Sequence, residues 1–206
     1  MSDPGRSVWD MMNPPRRRRA SLQGTFGKRC RCAECEATTA GADSAFMRAV
    51  AGEISAAGWS VRTAPGDELT PPWAYTVGLW QTRQGPELVM AGLPPEHMTI
   101  ILNVIADRIA DGFPIDVADE ITGICPCSLT IRPVHPSWRE TSMLAISDRY
   151  YGYVRPRYLQ VVWPDRRGRY PGDRGFQPRY EGRQPMLWLP VEDHPPCTWT
   201  RLDVAC

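Results

Sequence analysis

At 206 residues, 42% of them apolar and with a formal net charge of +1, the chain suits one core of ordinary size plus tails. Its 21 prolines and 17 glycines exceed the usual share without collagen-like periodicity, which excludes a fibre or wholesale disorder and predicts a loop-rich α+β fold. The near-neutral total hides a basic stretch at 1–36 (eight basic against four acidic residues), an acidic middle at 37–147 (six against twelve) and a basic stretch at 148–183 (nine against four). Such alternation suits phosphate contact and self-complementation alike.

Residues 1–42 read as a flexible, disordered basic arm, because SDPGRS, NPP and RRRR supply turn-formers and like charges without an apolar period. Arg16, Arg17, Arg18 and Arg19 are the candidate nucleic-acid contacts, through release of counterions from phosphates; a solvated tail is the plainer alternative. Further along the arm, Cys30, Cys32 and Cys35 stand among Lys28, Arg29 and Arg31. Cationic neighbours favour thiolate, the form a soft metal takes, so these three are candidate zinc ligands. A closed tetrahedral site then needs a fourth ligand, from Cys125, Cys127, Cys197, His194 or Cys206. Plain surface thiols, or redox exchange with Cys125 and Cys127, are the competing readings. The total of seven cysteines is odd, and the N-terminus has no apolar signal region. The expectation is a cytoplasmic protein with free thiols or metal ligands and no membrane partner.

The first helix is expected over 44–57, with Phe46, Met47, Val50 and Ile54 on one face and Gly58 closing it. A strand follows at 59–63, then a loop to Pro72. Residues 74–79 and 87–91 read as strands joined by a tight connection through Gln84-Gly85-Pro86, with Gly78 marking a bulge or close approach. Over 96–111 Met98, Ile101, Leu102, Ile105 and Ile109 keep helical spacing before Gly112. A weak strand within 113–126, a strand at 127–134 and a helix at 138–150 come next. The strand at 157–163 puts Leu159, Val161 and Trp163 on one face, and Pro164 to Gly168 has type I turn composition. The apolar patch at 186–189 should dock on the core; 191–206 reads as a C-terminal tail.

The ordered set PPWAYTVGL, GPELVMAGLPPE, Tyr150-Tyr151-Gly152, YLQVVWPDRRGRYP and Gln184-Pro185-Met186-Leu187 resembles the bacterial family known as domain of unknown function 4262 (DUF4262), over roughly 58–187. The resemblance implies a fold unit over about 43–190 and no particular activity. Two departures stand out. Tyr170-Pro171-Gly172-Asp173 lacks a tryptophan usual in the family, and Gly85 stands where a histidine is often found, so chemistry needing that histidine would be missing here.

The expected architecture is therefore a single α+β domain with a mostly antiparallel sheet and two or three packed helices. The leading functional reading is a non-enzymatic binding or interaction module, whose basic, cysteine-bearing arm binds zinc, nucleic acid or a protein partner. The alternative is a small hydrolase-like enzyme in which Glu87, Asp165 and Arg166 meet in a cleft between the two motif strands. Capping of its own turn is the plainer role for Asp165. Tyr75 and Trp163 are the candidate cleft-lining aromatics, against the commoner role of core packing.

Overall fold

The structure, a computed structural model, describes residues 45–68 and 70–201. Its strands are β1 (Ser60–Ala64), β2 (Trp73–Val77), β3 (Glu87–Ala91), β4 (Glu120–Ile121), β5 (Leu129–Pro133) and β6 (Tyr158–Val162). They form one sheet in the order β1-β2-β3-β6-β5-β4. Four of the pairings are antiparallel; the central one, β3 with β6, is parallel, with Glu87 opposite Tyr158 and Leu88 opposite Leu159. The helices are α1 (Ala45–Ala57), α2 (Leu79–Arg83), α3 (Pro95–Ala110) and α4 (Ala145–Tyr151). The fold is α+β.

Both central strands are buried on both faces, which explains their unbroken apolar runs. Alternation divides the core into two layers. Leu88, Met90, Leu159 and Val161 point to one side, where α3 lays down Met98, Ile101, Leu102, Ile105 and Ala106. Val89, Ala91, Tyr75 and Tyr158 point to the other, against Met47, Val50 and Ile54 of α1 and Tyr150 and Tyr151 of α4. At roughly 1.5–3 kcal/mol for each large apolar side chain buried, either layer is a major part of the folding free energy.

The segment after β6 is tied down by two buried glutamines. Gln160 donates to the Pro185 carbonyl (2.7 Å) and accepts from the Leu187 N–H (3.0 Å), as a neighbouring strand would. Gln184 donates to the Trp163 carbonyl (2.6 Å). These bonds seat Leu187 in the second layer, so the apolar patch at 186–189 docks as expected. Packing continues beyond 190: Trp199 is fully buried, and its indole N–H donates to the Gly182 carbonyl (2.8 Å).

Three local expectations need correction. The connection between β2 and β3 is the short helix α2, not a plain turn. The helix expected over 138–150 is two 3₁₀ turns, Pro136–Glu140 and Ser142–Leu144, and then α4; Thr141 is extended (φ −90°, ψ 165°) and interrupts it. Phe46 lies off the buried stripe of α1, half exposed, with the Arg62 guanidinium 6.0 Å from its ring centre. No described helix is long and apolar enough to cross a membrane.

Gly78 joins β2 to α2 with φ 110°, and a Cβ there would lie 2.8 Å from Ile54 Cγ2 on α1. The close approach read from the sequence is thus a contact between a backbone corner and a helix. Gly78→Ala should cost on the order of 2–4 kcal/mol in urea denaturation, combining backbone strain with overpacking; a loss below about 0.5 kcal/mol would show that the corner is not constrained.

Candidate functional site

Glu87 opens β3 and is wholly buried. Its Oε1 accepts from the N–H groups of Gly78 (2.9 Å) and Trp80 (3.0 Å) and from the Tyr151 hydroxyl; its Oε2 accepts from the Thr76 hydroxyl (2.6 Å). Thr76 Oγ1 in turn accepts from the Leu88 N–H (2.8 Å), and Tyr151 Oη from the Gly78 N–H (2.8 Å). One carboxyl group therefore caps the first turn of α2 and ties β2 to α4. Burial pushes it above the usual carboxyl range, against the pull of the donors from Thr76, Tyr151, Trp80 and Gly78. Burial and the neighbouring carboxylate likewise hold the Tyr151 phenol protonated. Both oxygens of Glu87 are engaged by protein donors, which is the signature of a structural hub.

Asp165 and Arg166 do not join it. Glu87 pairs with Tyr158 at the start of the parallel strands, whereas Asp165 lies three residues past the end of β6. The parallel register thus puts the two carboxylates at opposite ends of the pair. Asp165 Oδ1 accepts from the N–H groups of Arg167 (2.7 Å) and Arg169 (3.0 Å), and Oδ2 from Gln177 (3.0 Å). Desolvation raises its pKa, but these three donors prevail and hold it below the usual carboxylate range. It caps its own turn, which Gly168 closes at φ 75°. Arg166 is exposed on that turn.

Tyr75 and Trp163 lie on opposite faces of the sheet. Tyr75 is packed against α4, its hydroxyl accepts from the Ile146 N–H (3.3 Å), and burial pushes its pKa up to about 12. Trp163 donates its indole N–H to the Ala91 carbonyl (2.8 Å) and keeps one face toward a cleft.

That cleft, about 560 Å³, opens at the carboxyl ends of β3 and β6. From the N-terminal half of α3 come His97, Ile100 and Ile101, and from the loop before β5 come Ile124, Cys125, Pro126 and Cys127. Leu93, Gly123, Leu129 and Trp163 complete the lining, which holds no Asp, Glu, Lys or Arg. The polar groups are the two thiols and the imidazole of His97 at the rim. The Cys125 and Cys127 sulfurs are 3.1 Å apart, and the Cys125 thiol also lies 3.1 Å from the Cys127 carbonyl oxygen. Burial, followed by the hydrogen bond to Cys125, pushes the Cys127 thiol up to about 11.

A second thiol beside an imidazole is less available for chemistry. Cys197 Sγ is 3.5 Å from His194 Nδ1, but Nε2 accepts from the Met186 N–H (2.9 Å), so Nδ1 carries the proton and faces the Pro195 carbonyl (2.8 Å). Desolvation lowers the His194 pKa. The ring is a neutral crosslink and no base for Cys197.

Arg16, Arg17, Arg18, Arg19, Cys30, Cys32 and Cys35 lie outside the described residues, so the zinc and nucleic-acid expectations rest on the sequence. Among the described residues no three His, Cys, Asp or Glu side chains gather to hold a metal. The cleft escaped sequence reading because its walls come from three separated stretches, 93–101, 123–129 and Trp163. Two local signals existed: Ile100 stands off the buried stripe of α3, and Cys125-Pro126-Cys127 places two thiols side by side. Gly85 has Ile109 Cγ2 2.7 Å from where a Cβ would be, so a side chain there needs the Ile109 side chain to shift.

The family described as domain of unknown function (DUF4262) matches the chain over residues 53–177. Searches of curated proteins and of solved structures each gave no match.

Glu87→Ala removes the carboxyl acceptor of the buried Thr76 and Tyr151 hydroxyls, and at about 1–3 kcal/mol each the loss should be on the order of 3 kcal/mol by urea denaturation. A variant of unchanged stability would contradict the structural role.

Proposed function

The chain belongs to the DUF4262 family, and on that footing we propose that it is a binding module whose cleft at the carboxyl ends of β3 and β6 takes a small apolar ligand. The observation that carries this is the uncharged lining of a cleft of about 560 Å³. Ligand sites are typically about 300–1,000 Å³, mostly apolar, with a few convergent polar groups. The position supports the same reading, since the cleft lies beyond the carboxyl ends of the parallel pair, the end at which open α/β sheets bind ligands. Ile100 adds a third support: 40% exposed on α3, it is an apolar side chain that a ligand in the cleft would cover. The volume favours a small molecule over a folded partner, and the absence of charge from the lining disfavours phosphate or carboxylate groups within it. Cys125, Cys127 and Cys197 are free thiols, which suits the cytoplasmic location included in this reading.

Titration with phenylnaphthylamine, an uncharged dye that brightens in apolar surroundings, tests the proposal. Saturable binding of one dye per chain is expected, with Kd in roughly the micromolar range for a ligand of this size. Ile100→Asp puts a charge on the wall without touching the core and should weaken binding about tenfold or more. Tyr153→Asp, at a residue that is exposed and does not line the cleft, should leave it unchanged. Absence of saturable binding, or equal binding by Ile100→Asp, would overturn the reading.

A further inference from the structure

We propose that Cys125 and Cys127 form a thiol–disulfide exchange site, and that its substrate is an uncharged, apolar disulfide seated in the cleft. The proposal rests on the cleft's being the ligand site and names the chemistry done there. Its geometric basis is the pair itself. The two sulfurs, 3.1 Å apart, need to close by only about 1 Å to reach the disulfide bond length of about 2.05 Å. Both thiols line the apolar cleft, so a bound molecule lies against them. The loop has room to adjust: Gly123 precedes the pair at φ 76°, with no atom within 4 Å of where its Cβ would stand.

In the proposed exchange Cys125, whose Sγ lies against both the Cys127 thiol and the Cys127 carbonyl oxygen, is the attacking thiol and Cys127 the resolving one. Cys125 loses its proton to solvent and its sulfur bonds to one sulfur of the bound disulfide. The substrate's S–S bond breaks, and the released half takes up a proton as a thiol. Cys127 then attacks Cys125 Sγ, expels the second half and passes it a proton, closing a Cys125–Cys127 disulfide. Two electrons and two protons have moved from the protein dithiol to the substrate disulfide, which is reduced to two thiols.

The full chain can be tested directly, because tryptic cleavage after Arg108 and Arg139 (Arg132 is protected by Pro133) isolates a peptide whose cysteines are Cys125 and Cys127 alone. Reduced protein is mixed with dithiodipyridine, an uncharged aromatic disulfide, or with charged glutathione disulfide, then quenched by alkylation and mapped by mass spectrometry. The expected product is the internal disulfide, with both thiols lost together. Normalised to free cysteine, the rate with dithiodipyridine should exceed that with glutathione disulfide by about tenfold, the factor for roughly 1.4 kcal/mol of cleft binding. Cys127→Ser should trap a mixed disulfide on Cys125, and neither Cys127→Ser nor Cys125→Ser should give the internal disulfide. Intact dye binding without ring closure would overturn the exchange chemistry and leave the cleft reading standing. Ring closure without preference for the uncharged disulfide would overturn the substrate class, and loss of dye binding beside it would overturn the cleft reading as well.

Discussion

A buried carboxyl group with no cation beside it among the described residues sets the terms for this fold. Glu87 is tolerated in the interior because donors from Thr76, Gly78, Trp80 and Tyr151 surround it. Those donors come from β2, from the start of α2 and from α4, so meeting one group's hydrogen-bonding demand fixes three elements around the first residue of β3. The rest follows from that anchor. With β3 held at its amino end and paired in parallel to β6, both strands end on the same side, and α3 must turn back over the sheet from there. The cleft lies at that end, and the hub at the other.

This arrangement explains why conspicuous sequence features have structural roles. The stretch from Trp73 to Pro95 reads as a signature, yet its polar positions are largely spent inside the fold: Thr76 and Glu87 on each other, and Gly78 on its approach to α1. Asp165 is likewise consumed by its turn. The side chains that line the cleft are less conspicuous in sequence. They include an isoleucine off the stripe of α3, the tryptophan just past β6, and two thiols flanking a proline.

Much of the fold was legible because local patterns and tertiary burial agree. The stripe of α3 is the stripe that is buried, and Leu159, Val161 and Trp163 share the face that periodicity assigns them. Where they part, a distant residue decides. Leu79–Arg83 is too short to announce a helix and is held by Glu87, several residues downstream. Thr141 breaks a helical pattern by adopting extended backbone. The parallel sense of the β3–β6 pair left no local trace, and it is this sense that separates Glu87 from Asp165 and removes the imagined carboxylate cleft. The cleft that does exist is assembled by topology, so sequence showed its parts without their meeting.

The central claim is a division of labour between the two ends of the sheet, a closed polar hub at one and an open apolar ligand site at the other. Isoleucine methyl NMR spectra, recorded while phenylnaphthylamine is added, test it most directly. The account predicts shifts at Ile100, Ile101 and Ile124, which line the cleft, with Ile54 and Ile146 unmoved beside Gly78 and Tyr75. Shifts centred on Ile54 and Ile146, with the cleft methyls silent, would contradict it.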